Sequence, residues 1–281
     1  MAPEVAYNIL LKCERAEKHI DDLKRAVDTF LGEEPYAIRF EENPDTGDRT
    51  YYIGKDAEVP PDIPVICGDA VHNLRTALDH LIYRLAHVHT SGKGPFDNLH
   101  FPIGETKTAF EKSLARALHY KSKLKGPTPR LGQDTVKAIR SLEPYGGGTG
   151  EYFWHLHKLD IIDKHHILLT AASSNQYHSM VPSERALSKR DFLGAEMSES
   201  SAALDGKTFL ESHTPKFPLK TGDKLWTVAK ANVDENMHLP IEIAFADPPV
   251  LAGEPIIETL DEISFAVRNT VLWFEKLGML G

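Results

Sequence analysis

The chain has 281 residues, is 41% hydrophobic and 26% charged, and carries a formal net charge of −9. This composition fits a soluble globular protein and excludes a disordered or collagen-like chain. No apolar run approaches the ~20 residues of a membrane helix, and no Lys/Arg run exceeds two residues, which argues against wholesale capture of nucleic acid by charge.

Cys13 and Cys67 stand far apart in no metal-binding spacing, so a disulfide framework is not expected. The first residues, Met1-Ala-Pro-Glu-Val-Ala-Tyr7, lack a basic region followed by an apolar one, so no signal peptide is expected. Both features fit a cytoplasmic protein. Histidine is the unusual total. Of 14 histidines, eight fall in two short windows: His72, His80, His87 and His89, then His155, His157, His165 and His166. Clustering of the side chain that titrates near neutrality points to chemistry.

Residues 4–32 read as a long helix, with Ala6, Ile9, Cys13, Ala16, Ile20, Leu23, Val27 and Phe30 at helical spacing. Segments 36–41 and 49–54 alternate about a turn-forming stretch at 43–48, the pattern of a β-hairpin. Pro60, Pro61 and Pro64 lead into a second long helix over 65–89. There Val71, Leu74, Ala77, Leu78, Leu81, Ile82 and Leu85 form one apolar stripe. The opposite side carries Asp69, His72, Asn73, Arg75, Thr76, Asp79, His80 and Tyr83, with neither Lys nor Glu among them. Short, orientable polar groups in place of long flexible charges mark a face that points into something.

Thr106 or Thr108 caps a short helix reaching residue 118. Lys121, Lys123, Lys125 and Arg130 make the one basic loop, read as exposed. A short helix over 133–142 ends at Pro144 and the run Gly146-Gly-Gly-Thr-Gly150. That run lacks the Lys-Ser/Thr of a phosphate-binding P-loop and reads as a flexible hinge. Residues 151–172 read as a helix apolar on most sides and therefore buried. A polar, Ser-rich stretch covers 174–205, the texture from 207 to 246 is β, and a final amphipathic helix spans 256–277.

The expected fold is mainly α within the α+β class. About four long helices form a bundle, decorated by the hairpin and a β-rich insertion. All 281 residues form a single domain, with a helical core of 1–172 and 250–281 and a β-rich subdomain over about 175–249.

Three functional readings follow. The segment Arg75-Thr-Ala-Leu-Asp-His80, with Asn73 before it and Tyr83 after it, resembles the motif of the HEPN family of helical-bundle proteins, many of them metal-independent ribonucleases of toxin or defence type. The resemblance implies that His80 acts as general base on a ribose 2′-hydroxyl or as acid on the leaving oxygen. It implies that Arg75 stabilises charge on the scissile phosphate, with Asn73 and Asp79 beside them. It also implies a homodimer, RNA as partner and no cofactor.

The second reading is a metal-dependent helical enzyme. Asp69/His72 and Asp163/His166 are two Asp-x-x-His spacings that would ligate a divalent metal from facing helices, with His157, Asp160 and His165 as further polar groups. The third is a non-catalytic binding or scaffold protein, in which Asp160 and Asp163 pair with Arg75, His72 or His80 only to hold the helices together. The second and third readings place the polar faces of 69–83 and 157–166 against each other, whereas the HEPN resemblance implies motif helices that meet across a dimer.

Overall fold

In a computed structural model, the described residues are 4–94, 96–120, 128–168, 170–173, 209–212, 217–230 and 241–281. They form six helices: α1 (Glu4–Gly32), α2 (Asp62–His89), α3 (Lys107–Leu118), α4 (Gln133–Ser141), α5 (Glu151–Asp163) and α6 (Ile256–Lys276). The strands are β1 (Ala37–Glu42), β2 (Arg49–Lys55), β3 (His119–Tyr120), β4 (Thr128–Pro129), β5 (Thr170–Ser173), β6 (Phe209–Ser212), β7 (Lys224–Val228) and β8 (Glu242–Phe245). The fold class is mixed α+β, as expected. Among the described residues, no helix is long and apolar enough to cross a membrane.

The chain divides into two compact units, Met1–Lys24 with Pro64–Leu168 and Ile257–Gly281, and Arg25–Ile63 with Leu169–Ile256. The hairpin lies in the second of these units. Its second strand pairs with β7, with Arg49 opposite Val228 and Thr50 opposite Thr227. A lone two-stranded hairpin is marginal in water, and further strands with a buried face give it independent stability. The resulting antiparallel sheet has the order β1-β2-β7-β6, and the Thr50 and Thr227 hydroxyls meet at 3.0 Å.

In the second unit, Tyr51, Ile53, Leu225, Trp226 and Val228 are buried. Strands β5 and β8 form a separate antiparallel pair, with Thr170 opposite Phe245. That pairing corrects the expected long helix over 151–172. Helix α5 stops at Asp163, and the chain becomes a strand from Thr170 because Glu242–Phe245 supplies a ladder partner. The Ser-rich stretch 174–205 lies outside the described residues.

In the first unit, all seven residues of the α2 stripe are buried. Full burial of one Leu or Ile contributes about 1.5–3 kcal/mol, so this stripe anchors the unit. Helices α1 and α6 run antiparallel, since Glu17 pairs with Arg268 at 3.0 Å and Lys24 with Asp261 at 3.0 Å. Thr106 caps α3 by accepting from the Ala109 amide at 3.2 Å, one of the two caps expected.

Two expectations about loops are corrected. Arg130 is buried rather than exposed: its guanidinium donates to the carbonyls of Ala117, Asp97 and Arg116 at 2.7–3.2 Å, which satisfies the charge-bearing donors. Lys121, Lys123 and Lys125 lie outside the described residues. The run 146–150 is a tied turn rather than a hinge. The Glu143 carboxylate accepts from the Tyr145 hydroxyl and from the Thr149 amide and hydroxyl. A side chain at Gly150 would meet the Leu142 carbonyl.

Candidate functional site

Helices α2 and α5 meet through their polar residues. The His72 Nδ1 atom lies 3.8 Å from Asp160 Oδ1, and Lys164, the C-cap that follows α5, donates to Asp160 Oδ2 at 2.6 Å. The Asp160 side chain is only 3% exposed, whereas those of His72 and Lys164 are 58% and 53% exposed. A buried carboxylate is thus shared by an imidazole and an ammonium that both reach solvent.

A second tie runs through the first turns of α2. Gly68 packs directly on the Asp163 carboxylate, and a Cβ at this position would collide with Asp163 Oδ1. Glycine is required here by close approach. Burial pushes the Asp163 carboxyl above its ordinary range, and the charges of Asp160 and Asp69 add to the effect. Ionisation of Asp163 therefore works against the fold, an effect that appears as pH rises. Gly68→Ala is expected to push α2 and α5 apart or expel Asp163. The cost, read from urea unfolding, is about 1–3 kcal/mol. An unchanged midpoint would mean that the two helices do not seat on each other here.

Arg75, three residues after His72 on α2, is 5% exposed. It is bridged to Asp79 Oδ1 at 3.0 Å and donates to the Phe101 carbonyl at 3.3 Å. Asp79 also accepts from the Phe101 amide at 2.9 Å and contacts His100 Nδ1 at 3.1 Å. A buried guanidinium needs its countercharge within hydrogen-bond reach, and Asp79, one turn on, supplies it. Arg75 is therefore committed internally, contrary to the role implied by the HEPN-like motif. His80, one residue past Asp79, turns about 100° further round the helix and is exposed. Arg75 and His80 do not share a site surface. Asn73 Nδ2 donates to the Asp69 carbonyl at 2.8 Å, and its Oδ1 accepts from Lys12 at 3.5 Å.

His157 faces this cluster from α5. Burial and the nearby Arg75 charge push its pKa down to about 4, against the smaller opposing pulls of Asp160 and Asp79. Among the described residues, His157 Nδ1 and Arg75 Nη1 have no hydrogen-bond partner. The unfolded chain takes a proton on this imidazole near pH 6.5, whereas the folded chain does so only near 4. The contribution of neutral His157 to stability is thus present above pH ~6.5 and is lost as pH falls through ~4. His157→Leu is expected to flatten the acid limb of the stability profile, measured by urea unfolding at stepped pH. An identical limb in the variant would mean that His157 titrates as a free imidazole.

The metal-ligand set expected from Asp69, His72, Asp163 and His166 is not assembled. His166 lies beyond the end of α5, exposed, with Nδ1 3.3 Å from the Ile167 carbonyl, so it shares no helix face with Asp163. His165 is likewise past the helix end and exposed. Asp69 is exposed and His72 turns to Asp160. Among the described residues, no three His, Cys, Asp or Glu side chains could hold a metal ion together.

Three participants escaped the sequence reading. Lys164 was findable from its i,i+4 spacing to Asp160. Gly68 opens the polar face but carries no side chain to attract notice. His100 arrives from a loop 21 residues beyond Asp79, with no local signal. No protein-family model matches this chain, and comparisons with curated proteins and with solved structures found no match to it.

Proposed function

We propose that this chain is a metal-independent endoribonuclease, similar in reaction class to the HEPN-like proteins, with His72 rather than His80 as its general base. One observation carries the reading: the exposed His72 imidazole is backed by the buried Asp160 carboxylate, which also holds Lys164. At 3.8 Å the two groups are within ion-pair reach but beyond hydrogen-bond length, and in this proposal the contact tightens when substrate binds, giving the base held by a third group that activates a hydroxyl. With Nδ1 turned to Asp160, Nε2 is the nitrogen left for substrate.

In the proposed reaction, Nε2 takes the proton of a ribose 2′-hydroxyl and the 2′-oxygen attacks phosphorus. The bond to the 5′-oxygen breaks, and that oxygen takes a proton from solvent. The products are a 2′,3′-cyclic phosphate and a 5′-hydroxyl. Lys164 stabilises the negative charge that builds on the phosphate, the role the resemblance gives to Arg75. Arg75 and Asp79 position α2 and the 100–101 segment. A bundle of four long helices, a homodimer and a cytoplasmic location belong to the same proposal.

The test is cleavage of varied RNAs in EDTA, with product ends identified. Cyclic phosphate ends formed by the wild-type protein and lost in His72→Ala support the reading. Absence of cleavage across the RNAs, or equal cleavage by both proteins, overturns it. A second reading is favoured by the closed Arg75–Asp79–Phe101 ties: a scaffold protein whose polar network only joins helices. It gains if the site variants change stability alone.

A further inference from the structure

The polar face of α2 extends well past the site. His72, Thr76, Asp79, His80, Tyr83 and His87 lie within one stripe when placed at 3.6 residues per turn. Tyr83 is eleven residues from His72, about three turns on and about 16 Å along the axis. It is 47% exposed. It belongs to a cluster of three: Tyr83 and Phe96 meet at 5.0 Å edge to face, Tyr83 and His87 lie near-parallel at 6.3 Å, and His87 and Phe96 stand 6.0 Å apart. Phe96 comes from the loop after α2, and exposed Lys93 lies three residues before it.

The stripe between His72 and this cluster carries one carboxylate, Asp79, which is bridged to Arg75 and contacts His100, while exposed Asp69 and Asp97 flank its two ends. The remaining polar side chains there are imidazoles and a hydroxyl, and the Thr76 hydroxyl is spent on the His72 carbonyl at 2.8 Å. The exposed Tyr83 ring, packed on half-buried His87 and Phe96, offers a flat surface to an unpaired base, and stacking on an aromatic ring is the usual way a protein holds single-stranded nucleic acid. A stacked strand advances about 3.4 Å per nucleotide, so the rings lie at most about five nucleotides from a phosphate at His72.

We propose that the Tyr83–His87–Phe96 cluster is a base-stacking subsite for single-stranded RNA, reached along the face of α2 that carries His72. This deepens the ribonuclease reading and rests on it. It assigns the substrate as unpaired RNA gripped by a base a few nucleotides from the cut. Stacking uses the base and not the 2′-hydroxyl, so single-stranded DNA binds the subsite equally well without being cleaved.

The experiment is fluorescence anisotropy of the full chain with labelled oligouridylate, oligodeoxythymidylate and an RNA duplex, run beside the cleavage assay. Binding is measured in the His72→Ala background so that RNA stays intact. Circular dichroism melts confirm that each variant is folded. Both single strands are expected to bind and the duplex to bind more weakly. Adding Tyr83→Ala or Phe96→Ala weakens single-strand affinity about tenfold, and Tyr83→Phe restores it. Single-strand binding unchanged by Tyr83→Ala and Phe96→Ala overturns the subsite and leaves the ribonuclease reading standing. Cleavage by wild type with duplex preferred over single strands also overturns the subsite alone. No cleavage together with no binding sinks both.

Discussion

His72→Ala is expected to lower RNA cleavage by about 10²–10⁴-fold, the usual worth of a positioned general base. The loss should fall on kcat, because the imidazole acts on the 2′-hydroxyl in the transition state rather than on bound substrate. Asp160→Asn keeps the shape of the carboxylate but removes the charge that lies 3.8 Å from Nδ1 and holds Lys164, so a smaller kcat loss accompanies it. Lys164→Ala should lower kcat and raise KM together, since an ammonium attracts phosphate before and during reaction. Initial-rate assays over a range of RNA concentration separate these patterns. Loss of cleavage in His80→Ala with His72→Ala unaffected would restore the assignment implied by the motif and remove this one.

Arg75→Met is expected to cost about 2–4 kcal/mol in stability. The methionine keeps most of the apolar stem but leaves Asp79 without its partner and the Phe101 carbonyl without its donor. Breaking one side of a buried ion pair typically costs 3–5 kcal/mol, and the partial exposure of Asp79, 26%, together with its contact to His100, reduces that figure. The double variant Arg75→Met/Asp79→Leu should recover much of the loss, because no charge is then stranded. Urea unfolding of the singles and the double closes the cycle. A single variant as stable as wild type would show that the guanidinium is not committed to Asp79. It would then be free to meet a phosphate after all.

The helices carrying the site were legible because their apolar residues recur at helical spacing. The α2 stripe is the clearest case: the residues that align on a wheel are the residues that are buried. The meeting of α2 with α5 was legible too, since two faces rich in Asp and His must find partners. Partner choice within that meeting was not. On spacing alone Arg75 looked available, but Asp79 lies on the same helix one turn away and claims it. The Asp163/His166 pair failed because a helix end cannot be read to within a turn when histidines follow it. The sheet was only half legible. Alternation marks each strand, but nothing local announces that residue 49 will lie opposite residue 228.

That last pairing has a consequence for biosynthesis. About 180 residues separate Arg49 from its neighbour Val228. At 5–20 residues per second, the hairpin leaves the ribosome roughly 10–40 s before the strand that flanks it exists. During that interval the second edge of the hairpin, including Tyr51 and Ile53, has no sheet to enter. Pairings so distant in sequence also form slowly once the chain is complete. Nascent molecules of this protein therefore pass through a window of vulnerability to association and proteolysis that the finished fold does not reveal.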